Sequence, residues 1–267
     1  MSARSLLAEP PSGRAVPLLI DDAEYSTTVI RQGDPIPWTD VTLLAEHFRQ
    51  VGQLLKPDAT WVDIRRIQAA HLDSRPRLVE AMGARSRPGY PLRTLLSDDT
   101  LMAATVELLT VLATTTRRSL VLHMPSPGAW LHWAHHAAAV ELTVLDEDYA
   151  DTASMYIAEW LGRLGGIPVA LALLDSRTTE SSLTEHLRDY SAITNVTAHF
   201  DWTPALQTTT GIATRPEDPT VGILPGNFWT EADPTNETVA DILVTTIPGS
   251  ATPEGVLDRL NAWPRRV

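Results

Sequence analysis

Three aspartates, Asp63, Asp175 and Asp201, each stand at or just beyond the close of a short apolar run. Apolar runs of that length, bounded by polar residues or prolines, read as buried strands. Carboxylates at the carboxyl ends of neighbouring parallel strands meet in one hollow, where they can share a proton, hold a cation or orient an N–H group. Helix capping is the structural alternative, most plainly for Asp175 with Ser176 beside it. His199 precedes Asp201 by two residues, so on a strand both point to the same side. Asp201, His199 and Asp63 are therefore the acid–base candidates. Arg31, Arg65 and Arg177 are expected at the same rim, where planar guanidinium forks grip a substrate carboxylate through two bonds. A salt bridge to a nearby aspartate is the competing role for each arginine.

His132, His135 and His136 follow at i, i+3 and i+4, and on a helix they share one face. Such spacing can hold a divalent metal through His132 and His136 if a third ligand converges. It equally serves an acid–base role, or plain packing beside Trp130 and Trp133. A glutamate directly after His132 would favour a metal, and Trp133 stands there instead, so no cofactor is expected. His123 falls inside a strand and is expected to be a buried, satisfied histidine. Ser126, Trp130, Trp202, Asn227 and Trp229 complete the residues expected to line a substrate pocket, with core packing the alternative for the tryptophans.

Positioning these groups falls above all to residues 119–136. Residues 119–124 form a strand, Pro125-Ser-Pro-Gly128 a turn that neither a strand nor a helix can continue, and Ala129 onward a helix. Strand, tight loop and helix in that order place polar groups at a strand's carboxyl end, where ligands of α/β folds bind. Further strands are expected at 15–20, 59–64, 91–96, 167–174, 195–200, 221–224 and 241–247. Helices are expected after Thr39 or Asp40, from Asp98 or Asp99, from the acidic Asp146-Glu-Asp148, and from Pro253. The strands are almost continuously apolar, the mark of parallel strands covered on both faces. Eight such units predict a single (β/α)8 TIM barrel over residues 15–267, preceded by a loose leader over 1–14. An open doubly wound sheet is the alternative, though no Gly-x-Gly-x-x-Gly follows the first strand.

Composition narrows the partners. The formal charge of −12 disfavours nucleic acid and anionic membranes. The absence of cysteine excludes disulfides, thiolate nucleophiles and cysteine-ligated zinc. No apolar run reaches the ~18 residues of a spanning helix, and residues 1–14 contain no signal-peptide core. The expectation is a cytoplasmic protein with a small-molecule substrate; a homodimer is compatible with such a barrel.

Five fragments then arrive in a telling order: Pro125-Ser-Pro-Gly-Ala-Trp-Leu131, Leu174-Asp-Ser176, Phe200-Asp-Trp-Thr203, Gly226-Asn227 and Thr252-Pro-Glu-Gly-Val256. Ile30-Arg-Gln32 and Val62-Asp-Ile64 are looser matches. Together they resemble the uroporphyrinogen decarboxylase and cobalamin-independent methionine synthase superfamily of (β/α)8 barrels. Two departures stand out. The family's second loop arginine is absent, and Thr245-Thr-Ile-Pro-Gly249 occupies the place of the decarboxylase's Asn-Leu-Gly-His-Gly. The resemblance implies an enzyme, a decarboxylase-type lyase acting on a small carboxylated molecule without a cysteine–zinc site. A methyl or alkyl group transferase of the same superfamily, or a barrel that binds a ligand without catalysis, are the alternatives.

Overall fold

The computed structural model describes residues 3–177, 183–232 and 238–266. Six of the expected strands form: β1 (Leu18–Asp21), β2 (Thr60–Asp63), β3 (Leu120–Pro125), β4 (Val169–Asp175), β7 (Val221–Leu224) and β8 (Ile242–Thr246). Between β4 and β7 stand β5 (Thr203–Thr208) and β6 (Gly211–Thr214), a hairpin closed by Thr209-Thr210. The helices are α1 (Ala3–Ala8), α2 (Ala23–Tyr25), α3 (Val41–Leu54), α4 (Ile64–Asp73), α5 (Pro76–Met82), α6 (Tyr90–Leu96), α7 (Asp99–Thr116), α8 (Pro127–Ala137), α9 (Glu147–Gly162), α10 (Ser191–His199) and α11 (Pro253–Ala262). A π-helical turn (Ser26–Ile30) continues α2, and short 3-10 turns cover Leu187–Asp189 and Gly226–Trp229.

The helix starts follow the side chains that can cap them. Asp40, Asp98 and Asp146 accept the backbone N–H three residues on at 2.7–2.9 Å, and Thr252 does the same ahead of Pro253. Two expected strands are helices instead. Residues 91–96 lie in α6, which begins after Gly89 at φ 82° with Pro91 in its first turn. It buries Leu92, Leu95 and Leu96, a three-and-four spacing that serves one helical face. Residues 195–200 lie in and just after α10, where Ile193 and Thr197 share the buried side.

The chain is α/β, with mixed sheets of three and five strands. One sheet runs β1-β8-β7 in parallel, and the other runs β2-β3-β4-β5-β6, parallel except for the terminal hairpin. Their neighbouring edges meet at the start of β1 and β2, where Asp58 N–H donates to Leu18 O (3.0 Å) and Asp58 Oδ2 accepts from Leu18 N–H (2.8 Å). Alternate strand residues serve opposite layers. Leu19, Trp61, Val121, Leu171, Leu173, Ala205, Val221 and Val244 pack into one core that both sheets share. Val62, Leu122, Leu174 and Leu206 turn the other way, against a layer that includes α7, α8 and α9. Leu18, Ile20 and Leu243 pack with Val256, Leu260 and Trp263 on and just beyond α11. Burial on both faces explains why the strands lack polar alternation.

Within the stretch expected as a loose leader, residues 3–8 form α1. Ala3 and Leu6 of α1 are 0% and 1% exposed and belong to the shared inner core. Apolar side chains at i and i+3 on this short helix give it one sticky stripe, and the inner core buries that stripe. Among the described residues, no helix is long and apolar enough to cross a membrane.

Candidate functional site

The ladder between β2 and β3 sets Asp63 opposite His123, and the ladder between β3 and β4 sets Pro125 opposite Asp175. Three parallel strands thus deliver an acid, a histidine and an acid to one end of the sheet. His123 Nε2 lies 3.1 Å from Asp175 Oδ2, and its Nδ1 lies 3.7 Å from Asp63 Oδ2. Each carboxylate also holds an arginine. Arg177 grips Asp175 in two-pronged fashion, Nε to Oδ1 at 2.9 Å and Nη2 to Oδ2 at 2.7 Å, with its backbone N–H on Oδ1 at 3.0 Å. Arg66 Nε lies 3.3 Å from Asp63 Oδ2, while Asp63 Oδ1 caps α4 through the Arg66 N–H at 2.9 Å. Charge therefore alternates along Arg66, Asp63, His123, Asp175 and Arg177.

The protonation states follow from this geometry. Burial disfavours the His123 cation, but the hydrogen bond to Asp175 and the negative charges of Asp63 and Asp175 outweigh it and push its pKa up to about 9. Burial would likewise raise Asp63 and Asp175, yet His123 with Arg66, and Arg177 with His123, hold them below the ordinary carboxylate range. The two acids at the end of β1 behave oppositely. Asp21 is pushed up by burial, only partly offset by the charge of His123. Asp22, 7% exposed, is pushed up to about 7 by burial, against the hydrogen bond it accepts from the Ser26 hydroxyl. The carboxyl ends of β3 and β1, in the two sheets, thus carry an imidazolium held in its charged form near neutrality and a carboxyl whose pKa is raised to about 7. Among the described residues, no group of three or more His, Asp or Glu side chains is arranged to hold a metal ion.

Of the expected site residues, Asp63, Asp175 and Arg177 are brought together here. Asp201 and His199 are not. They follow or end α10 and precede β5, so they lie at the amino end of a strand. Asp201 sits at φ 57° beside Trp202, close to Arg4, Arg215 and Asp218. The arginine that reaches the array from α4 is Arg66, the neighbour of Arg65. Arg31 turns back on its own loop, Nε donating to Asp34 O and Pro35 O. Trp130, Trp202 and Trp229 are core residues at 0%, 3% and 1% exposure. Trp130 Nε1 donates to Gln68 Oε1 (3.0 Å) and Trp229 Nε1 to Thr245 Oγ1 (2.7 Å), which removes the need for a ligand partner. Asn227 is exposed and donates to Glu231 Oε1 at 2.6 Å. His135 is buried, while His132 is half-buried and His136 exposed on the same helix.

Ser126 caps α8, but it does not offer an open anion site. Glu185 occupies that helix start: it accepts from Ser126 Oγ (2.5 Å), Gly128 N–H (3.0 Å) and Tyr190 Oη (2.5 Å). A carboxylate suits the positive end of the helix dipole, and here the chain supplies its own.

His123, Asp21, Asp22 and Arg66 were missed as site members. The signal was present for two of them, since Asp21-Asp22 closes the first apolar run just as Asp63 closes the second. No family model, no curated protein and no solved structure matches this chain.

Proposed function

We propose that the chain is a closed (β/α)8 barrel, a divergent member of the uroporphyrinogen decarboxylase and cobalamin-independent methionine synthase superfamily. On this reading it is a decarboxylase-type lyase acting on a small carboxylated molecule. An inner core built from both sheets and the gathering of acids at strand ends support the barrel. Asp175 closing β4, Gly226 after β7 and Thr252-Pro253 opening α11 keep the order of the resembling fragments. His123 carries the chemistry in place of His199 and Asp201, and the observation behind this is its position between Asp63 and Asp175.

The substrate carboxylate pairs with guanidinium N–H groups of Arg66 and Arg177 that the aspartates leave unused. The carbon–carbon bond to that carboxylate breaks, carbon dioxide leaves, and the electron pair stays on the substrate carbon. His123 delivers its proton to that carbon and regains one from solvent, with Asp63 and Asp175 stabilising the imidazolium throughout. The test is release of carbon dioxide from a panel of small di- and tricarboxylic acids. His123→Gln should lower the rate on a substrate so found by about 10²-fold or more. Full activity in that variant sinks the assignment.

One observation favours a second reading, a barrel that binds without catalysis. Every charge in the array already faces an opposite one, which suits a fixed binding surface. A carboxylated molecule that co-purifies in one-to-one amount, with no carbon dioxide released, would select it.

A further inference from the structure

The strands β2 and β3 carry members of the array at their carboxyl ends, β1 ends beside it at Asp21, and a different set of charges gathers at the amino ends of all three. Arg14 precedes β1, Lys56 precedes β2, Arg118 precedes β3 and Arg265 follows α11. Lys56, Arg118 and Arg265 line a groove of about 470 Å³. Lys56 and Arg265 also line an adjoining hollow of about 240 Å³, which Arg14 borders. Among the described residues no Asp or Glu side chain lines either space, in a chain whose formal charge is −12.

Two acids close by are already engaged: Glu46 pairs with Arg49, which also lines the groove, at 2.5 Å, and the other is Asp58. It is 0% exposed, accepts from the Ser12 and Leu18 N–H groups at 2.8 Å each, and lies 3.5 Å from Arg14 Nη1. Arg14 in turn spends its guanidinium on Lys56 O (2.6 Å) and Leu55 O (3.2 Å). Lys56, Arg118 and Arg265 are left without a carboxylate at salt-bridge distance among the described residues. Arg118, half-buried, is poorly satisfied: its Nε is buried with no partner among the described residues, and its two amino groups reach Thr116 O and Gly52 O only at 3.5 Å. The crowding also shows in Arg14, whose pKa is lowered by burial and, against the pull of Asp58, by Arg265 and Arg118. Like charges gathered at one place without counter-charge are costly unless an anion joins them.

The adjoining hollow has a different wall. Leu257 and Leu260 of α11, Trp263 just beyond it, and Leu54 and Leu55 line the hollow beside the polar Gln53 and Asn261. A ligand filling both spaces therefore has a highly charged end and a carbon-rich end. We propose that this groove binds a small phosphorylated molecule, its phosphate among Lys56, Arg118 and Arg265 and its carbon portion against Leu257, Leu260 and Trp263. A doubly charged tetrahedral group can accept from three cations arriving from different directions, and guanidinium forks match its oxygens. The combined space is of the size that small-ligand sites occupy.

Isothermal titration calorimetry on the full chain tests this, with phenyl phosphate and inorganic phosphate as probes and a ten-nucleotide single-stranded RNA as comparator. Phenyl phosphate should saturate one site, bind about tenfold or more tightly than inorganic phosphate, and weaken as salt rises. Arg118→Gln and Arg265→Gln should each weaken it by roughly tenfold, whereas Arg188→Gln, at an exposed position away from the groove, should not. Trp263→Leu should narrow the gap between the two phosphates. Arg265 is exposed, so its variant keeps the test valid if Arg118→Gln fails to fold. The proposal is overturned by absence of saturable binding at low salt, by unchanged affinity in Arg265→Gln, or by RNA outcompeting phenyl phosphate.

Discussion

The indole of Trp61 lies over the imidazole of His123, with ring centroids 5.0 Å apart and planes inclined by 31°. Trp61 is 7% exposed and belongs to the inner core, so it presents an aromatic face to a cation at the edge of an apolar layer. Such contacts contribute roughly 0.5–2 kcal/mol when desolvated. Trp61→Leu should therefore lower the His123 pKa by about half to one unit. Imidazole proton shifts followed by NMR titration measure it, and an unmoved titration would show that the ring only packs.

Removing His123 leaves Asp63 and Asp175 facing each other's charge without their mediator. His123→Ala should cost roughly 3 kcal/mol at neutral pH, as loss of a buried ion partner does. The sign of the pH dependence follows from linkage. The folded pKa of about 9 lies above the unfolded value near 6.5. The contribution of His123 is then complete below about pH 6.5 and is lost as pH rises through about 9. Urea melts at pH 6.5 and 9.5 should converge for wild type and variant at the higher value. A constant gap between them contradicts the array.

His47 of α3 gives the opposite dependence. It is 3% exposed, neither ring nitrogen has a partner, and burial, aided by the charge of Arg31, pulls its pKa down to about 4. The folded state binds fewer protons than the unfolded state between about pH 6.5 and 4, so stability falls as acid is added through that window. His47→Leu should remove this slope and raise stability by about 1–3 kcal/mol at pH 5, the range for an unsatisfied buried polar group. Thermal melts at pH 7 and pH 5 compare the two, and an unchanged slope would place the acid sensitivity elsewhere.

Leu6 tests the inner core from the amino terminus. At 1% exposure it should behave like any core leucine, and Leu6→Ala should cost about 2–5 kcal/mol. Denaturant midpoints would show it. A cost near zero would mean that α1 merely rests on the surface of the core.

Asp201 adopts φ 57°, a region that favours glycine. Asp201→Gly should be neutral or stabilise by up to about 1 kcal/mol. Any activity found at the opposite strand ends should be unchanged. Loss of that activity with the fold intact would return Asp201 to the acid–base role first expected of it.

The strand-end acids Asp63 and Asp175 were readable because an apolar run stops abruptly at a charge, and Arg177 because it follows at once. Asp201 and His199 were misplaced for an equally local reason. Val196 and Thr197 are β-branched and favour a strand, whereas the spacings Ile193 to Thr197 and Val196 to Phe200 fit a helix, and the helix wins once one face is buried. The exchange of Arg65 for Arg66 reflects helix geometry, where one residue swings a side chain by about 100°. His123 was set aside because strand pairing decides what an in-strand side chain meets. Nothing within residues 119–124 says that an aspartate stands beside it on each neighbouring strand. The cations at the amino ends of β1, β2 and β3 were invisible for the same reason, being far apart in sequence.

The two ends of the chain are stitched together. The Arg266 side chain donates to Leu7 O (2.7 Å) and Ala8 O (2.5 Å), Arg14 and Arg265 form an antiparallel bridge, and Ala3 and Leu6 share their core with Ile242 and Val244 of β8. Translation makes α1 well before β4 and β8, so its apolar stripe has its full cover only once both strands have been made. A nascent chain stalled before β8 carries that stripe incompletely covered, which is the kind of exposed apolar surface that chaperones and proteases meet.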